Sequence, residues 1–184
     1  MQDGELTLDT SDAQQTRELA AAVAGLLQPG DVVSLSGELG AGKTCFVQGA
    51  ARALGVRRKV TSPTFLLVRI YDEATPPIVH CDVYRLEVLQ DVLDLGDEVM
   101  AEDAVTFIEW GDAVASLLPA DRLDVEVLLV DDPTAGPDGP GVDAEAEAAG
   151  SARRRVRLRG RGRFQLRLPE IEAACSRWLD DGER

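Results

Sequence analysis

Residues 32–45 read VVSLSGELGAGKTC, an apolar run followed by a glycine-rich turn that closes on Gly42-Lys43-Thr44. The spacing of Gly37, Gly42, Lys43 and Thr44 matches the phosphate-loop pattern G-x-x-x-x-G-K-[ST] at every position. Without Cβ atoms, the glycines let the backbone turn its N–H groups inward and approach phosphate oxygens closely. The Lys43 ammonium is then in reach of the β- and γ-phosphates, the Thr44 hydroxyl is placed to ligate Mg²⁺, and the helix beginning there offers its positive end. Such a loop must follow a buried strand and open a helix. VVSLS reads as the strand and KTCFVQGAARALG as the helix, with Gly55 at its C-terminal stop. The predicted nucleotide-binding segment is Glu38, Leu39, Gly40, Ala41, Gly42, Lys43, Thr44 and Cys45.

Upstream, residues 5–8 (ELTL) predict a short strand, and Ser11 with Gln14 forms a capping box for a helix whose apolar face is Leu19, Val23, Leu26 and Leu27. Pro29-Gly30-Asp31 ends it. Downstream, Pro63 in VTSPTF biases Ser62 away from helix. FLLVRIY (65–71) and IVHCDVY (78–84) read as strands, with Pro76-Pro77 between them. LEVLQDVLDLGDEVM (86–100) has apolar residues at helical spacing, and VTFIE (105–109) is a short buried strand. Residues 111–118 predict a helix and 123–130 a strand. DDPTAGPDGPGVDAEAEAAG (131–150) is too polar to offset its ordering entropy and predicts a mobile loop. In RRRVRLRGRGRFQLRL the residues Val156, Leu158, Phe164, Leu166 and Leu168 alternate with arginines, predicting a strand pair with one face in water. Residues 169–179 suit a terminal helix with Pro169 in its first turn. Strands interleaved with helices around an early phosphate loop predict an α/β fold of three layers, P-loop NTPase-like, with a central mixed sheet and antiparallel additions.

The 184 residues fit one domain with a real core. With 19 basic against 33 acidic residues, the net charge of −14 opposes nonspecific binding to nucleic acid or an anionic membrane, so any RNA is expected to be carried by a partner. Cys45, Cys81 and Cys175 fit neither a disulfide framework nor a zinc cluster and read as packing residues in a reducing compartment. The start MQDGELTLDT has no secretory pattern and no apolar run approaches spanning length, so no membrane partner and a cytoplasmic location are expected.

A phosphate loop needs a carboxylate for Mg²⁺ and a group to orient water or acceptor. Glu109 ends VTFIE, where a Walker B acid sits, and Asp82 lies in HCDVYRL; either acid suits Mg²⁺, which takes one or two protein carboxylates. His80, the single histidine, reads as a packed, hydrogen-bonded residue rather than a catalytic one. Arg85 is placed to steady phosphate charge. Thr61, Ser62 and Thr64 form either a switch-like loop sensing the γ-phosphate or a capped turn. Trp110 either stacks on a base or fills the core rim.

GELGAGKT, VTSPTF, HCDVYRL, LGDE and IEWGD, in this order and spacing, resemble the TsaE (formerly YjeE) family of bacterial P-loop ATPases, over about residues 5–130. The resemblance implies that Lys43 holds phosphates, Thr44 and Glu109 serve Mg²⁺, Asp82 sits near the γ-phosphate, and residues 61–64 form the switch-like loop. It further implies ATP and Mg²⁺ as cofactors and hydrolysis that is weak without partners. The implied partners are the TsaB and TsaD proteins, in threonylcarbamoyladenosine (t6A) modification at position 37 of tRNAs reading ANN codons. TsaD makes the modification in such a complex, and tRNA is met only indirectly. Two positions depart from the family pattern: Glu38 stands where Asp is usual, and Cys45 where a second Thr is usual. Neither removes a phosphate or metal ligand.

A guanine-specific GTPase would read its base with Asn-Lys-x-Asp, and this chain contains no asparagine. The rival is a small-molecule P-loop kinase, with Arg153–Arg163 as a lid and Asp82 with Arg85 on an acceptor hydroxyl. Lid arginines lie on mobile segments, whereas these alternate with apolar residues as in a strand.

Overall fold

The computed structural model describes residues 4–64, 67–84, 101–130 and 152–179. Among these residues seven strands form one mixed sheet in the order β1-β7-β6-β2-β5-β4-β3: β1 (Glu5–Thr10), β2 (Val32–Ser36), β3 (Val68–Tyr71), β4 (Ile78–Asp82), β5 (Val105–Glu109), β6 (Arg122–Leu129) and β7 (Arg154–Arg161). The middle strands β4, β5, β2 and β6 are parallel, and the antiparallel additions are β3 at one edge and β7 with β1 at the other. Composition anticipates this division. β4 and β5 are buried at every position and mostly apolar, with His80, Asp82, Thr106 and Glu109 as their polar residues, while β6 and β7 alternate buried with partly or fully exposed residues.

Helices α1 (Ala13–Ala24), α2 (Lys43–Ala53) and α3 (Leu168–Cys175) share one main core with one face of the sheet; Leu19, Phe46, Ile171, Leu35, Phe107 and Leu158 are essentially inaccessible there. A second cluster on the opposite face joins Val79, Cys81 and Ile108 to Val114 and Leu118. The helix after the phosphate loop ends as its Gly55 predicts: the Val56 N–H reaches the Ala51 carbonyl (2.9 Å) and the Gly55 N–H the Arg52 carbonyl (3.2 Å), a Schellman motif. Cys81 and Cys175 are packing residues, each thiol pushed up to about 12 by burial.

Several local expectations are corrected. The cap of α1 is Asp12, not Ser11: its carboxylate accepts the Gln15 N–H at 2.8 Å, and Gln15 returns a bond to the Ser11 N–H. Strand pairing of Thr10 with Arg154 keeps the chain extended one residue longer than the motif alone suggests. α1 stops at Ala24, so Leu26 and Leu27 pack beyond it. β3 begins only at Val68, after Leu67 turns back to bond the Pro63 carbonyl (2.7 Å), and β4 ends at Asp82, short of Tyr84. Residues 111–118 form a 3-10 turn over Gly111–Val114 rather than an α-helix.

The second arginine-rich strand is absent among the described residues: Gly162–Arg167 is a 3-10 helix, with Leu166 left exposed. β7 is already paired on both edges, by β1 and β6, which leaves no neighbouring edge for it. The Asp121 carboxylate also captures the Arg163 N–H at 2.8 Å and bends the chain away. The predicted helix at 86–100, the acidic loop at 131–150 and Arg85 lie outside the described residues. Among the described residues no helix is long and apolar enough to cross a membrane.

Candidate functional site

Parallel strands align their C-terminal ends along one edge of the sheet, the edge where α/β proteins bind ligands. Here the ends of β2, β4 and β5 bring Gly37, Asp82 and Glu109 together. The register pairs Asp82 with Glu109 and His80 with Phe107, so His80, Asp82 and Glu109 face the same side as the Phe107 ring, toward α2.

The loop between β2 and α2 has the backbone that its glycines predict. Gly37 and Gly42 have φ of 133° and 118°, a region that L side chains rarely enter. A Cβ on Gly37 would also lie 2.2 Å from the Val127 carbonyl oxygen, so β6 packs directly against the start of the loop. Lys43, 4% exposed, donates its ammonium to the carbonyls of Gly37 (2.6 Å) and Glu38 (2.9 Å) and lies 3.5 Å from the centre of the Trp110 ring. Burial pushes this ammonium below the usual lysine range, against the upward pull of the Glu109, Asp82 and Asp112 carboxylates.

Glu109 is 2% exposed and accepts from the Thr44 hydroxyl at 2.8 and 2.9 Å. Its Oε1 also meets Nε2 of His80 at 2.8 Å, while Nδ1 of that ring is buried with no hydrogen-bond partner among the described residues. A carboxylate oxygen only accepts, and a bare Nε2 lone pair would repel it, so Nε2 is the ring nitrogen that donates. Asp82 is held separately. Its Oδ2 accepts from the hydroxyls of Ser62 and Thr64, the latter at 2.7 Å, and its Oδ1 from the Tyr84 N–H at 3.0 Å. Thr61 accepts from Arg69 at 2.9 Å. The hydroxyl-rich segment is thus tied to the end of β4.

Glu109, Asp82, Ser62 and Thr64 line a cleft of about 470 Å³ with Leu39, Gly40, Gly42, Lys43, Thr44, Tyr84 and Trp110 on its walls. The Tyr84 and Trp110 rings are 4.8 Å apart at its rim. Three residues of the predicted binding segment turn their side chains elsewhere. Ala41 is buried, Glu38 is exposed and contributes its carbonyl to Lys43, and the Cys45 thiol donates to the Ala13 carbonyl at 3.2 Å. Two features were missed. His80 binds Glu109 on the neighbouring strand; its position two residues before Asp82 signals only that it shares a strand face with that acid. Arg154 donates to the loop carbonyl of Ala41 at 2.9 Å, and nothing in the sequence singles it out from the other arginines.

Among the described residues no three His, Cys, Asp or Glu side chains gather into a metal cage. One carboxylate beside one hydroxyl is instead a donor set of hard oxygens, suited to Mg²⁺, which keeps most of its waters.

The family model described as threonylcarbamoyl adenosine biosynthesis protein TsaE matches residues 10–133. Among named relatives, the tRNA threonylcarbamoyladenosine biosynthesis protein TsaE of Streptomyces coelicolor is 46% identical over 114 residues, covering 60% of this chain and 77% of the relative. Its namesake in Bacillus subtilis is 40% identical over 119 residues (64% and 74%), and that of Treponema pallidum 43% over 121 (65% and 89%). The crystal structure of Bacillus subtilis YdiB superposes with a TM-score of 0.68 at 27% identity, covering 92% of this chain and 95% of that one. The fold is therefore the P-loop NTPase-like α/β fold, and by a match spanning more than half its length the chain belongs to the TsaE family.

Proposed function

We propose that this chain binds ATP with Mg²⁺ and hydrolyses it in the cytoplasm as an accessory factor in t6A modification, at position 37 of tRNAs reading ANN codons. It acts with TsaB and TsaD and meets tRNA through that complex. The name that the relatives share supports the pathway. The observation that carries the chemistry is the contact of Thr44 with Glu109, at 2.8 Å, beside a lysine-closed glycine loop.

The residues fit the ligand. The loop glycines leave the backbone N–H groups free of Cβ obstruction, and Lys43 is positioned to exchange the carbonyls of Gly37 and Glu38 for phosphate oxygens. Thr44 and Glu109 would hold Mg²⁺, which when bound neutralises phosphate charge. His80 keeps Glu109 oriented. Asp82, with the Ser62 and Thr64 hydroxyls on it, connects the segment 61–64 to the end of the cleft where the terminal phosphate would lie. The arginines that a kinase lid would use are engaged elsewhere: Arg155 and Arg159 meet Asp9 and Glu5 on β1, and Arg157 and Arg161 meet Glu126 and Asp124 on β6.

The chain mixed with TsaB, TsaD, tRNA, ATP and Mg²⁺ is expected to turn over ATP faster than the chain alone. Unstimulated turnover in the complete mixture would overturn the proposal.

A further inference from the structure

One arginine of β7 differs from the rest. Arg155, Arg157, Arg159 and Arg161 lie on the sheet face where the carboxylates stand, whereas Arg154 shares the opposite face with Val156 and Leu158 and is 3% exposed. An arginine at a core position is costly unless its donors find acceptors. Nε of Arg154 donates to the Ala41 carbonyl at 2.9 Å, and Nη1 to the Ala152 carbonyl at 2.6 Å. Ala41 lies within the phosphate loop, and a Cβ on Gly42 would stand 2.9 Å from Nε of Arg154. Arg154 is not among the cleft-lining residues, while Gly42 is, so the guanidinium braces the loop from behind.

The consequence follows from peptide geometry. In a trans peptide the carbonyl of one residue and the N–H of the next point in opposite directions. A carbonyl of Ala41 drawn toward Arg154 therefore turns the Gly42 N–H away from it, toward the cleft. A cationic donor on that carbonyl also polarises the peptide and strengthens its N–H as a donor to an anion. The brace is itself anchored: Arg154 pairs in the sheet with Thr10 and Leu129, and the Thr10 hydroxyl meets the Thr16 hydroxyl of α1 at 2.8 Å. Arg154 lies beyond the residues matched by the family model, which end at 133.

We propose that Arg154 is a positioning residue for the nucleotide, setting the Ala41–Gly42 peptide so that its N–H faces the phosphates and linking phosphate affinity to the seating of β7. It rests on the phosphate-loop reading above. The full chain is tested by calorimetric titration with ATP and Mg²⁺, by ATP turnover with TsaB, TsaD and tRNA present, and by thermal unfolding without nucleotide. Arg154→Met is expected to raise the ATP Kd about tenfold while kcat at saturating ATP stays within about twofold. Arg154→Lys keeps the cation but lacks the fork that spans both carbonyls, and is expected to raise Kd about threefold. A merely structural arginine would lower the unfolding temperature and leave the Kd of the folded protein unchanged. A folded Arg154→Met with unaltered Kd, or with its loss confined to kcat, overturns the proposal. If that variant does not fold, an unaltered Kd in Arg154→Lys overturns it. A wild-type chain that fails to bind ATP removes the phosphate-loop reading as well, an outcome distinct from binding that is indifferent to Arg154.

Discussion

Lys43 and Glu109 carry opposite charges into the same buried pocket, and the two should fail differently when removed. Lys43→Ala takes away a charged donor to phosphate, so the ATP Kd is expected to rise about 10- to 100-fold by calorimetry. Glu109→Ala leaves the loop and its amides in place, so ATP binding should change little while turnover falls by at least about tenfold. A Glu109→Ala protein with full turnover would remove that residue from the Mg²⁺ site. His80 tests the support beneath Glu109. His80→Phe removes one of the two donors to Oε1 of a buried carboxylate, leaving only the Thr44 hydroxyl, and stability by urea unfolding is expected to drop by about 1–3 kcal/mol. Of these three side chains, Lys43 was singled out by motif spacing and Glu109 by its place at the end of an apolar strand. His80 was legible only as a buried histidine, because pattern reading sees a strand face but not which neighbouring strand lies beside it.

Two pairs of elements are held by contacts of opposite kind. α1 and α2 cross so closely that a Cβ on Gly49 would lie 2.2 Å from the Arg17 carbonyl oxygen. Gly49→Ala must therefore push backbone apart, and although alanine favours helix, a net loss of about 1–3 kcal/mol is expected by chemical unfolding. The β1–β7 pair is held partly by charge. The Arg155 hydrogen bond keeps the Asp9 carboxyl below its ordinary 3.8, with burial opposing and the charges of Arg155 and Arg153 assisting. A depressed folded pKa contributes stability that is present above 3.8 and is lost as pH falls through the lower folded value. Asp9→Asn should thus cost about 0.5 kcal/mol near neutral pH, and its gap to the wild type should close in acid, as read by unfolding across that range.

β7 sits between β1 and β6, so the sheet is completed by a strand from the far end of the sequence. A chain ending at Val130 would leave β1 without its sheet partner and expose the full edge of β6. Such a truncation is expected to lose cooperative thermal unfolding by circular dichroism, whereas the whole chain should unfold in one transition, as a single domain would. Retention of a sharp transition by the truncated chain would show that the β2–β6 portion folds without this closure.

Local chemistry decided much of this protein before any folding was considered. The phosphate loop, its strand and helix, and the buried β4 and β5 follow from glycine geometry, capping and apolar runs, which act between residues a few positions apart. The pairing of His80 with Glu109, the hydroxyls gathered on Asp82 and the brace of Arg154 behind Ala41 join residues 18 to 113 positions apart. The same is true of the strand that β7 did not share with residues 163–168, a segment whose alternation was genuine but for which β7, flanked by β1 and β6, had no remaining edge. Contacts of this kind exist only once strand order and register are set, because periodicity specifies which face of a strand is buried and leaves open what it meets.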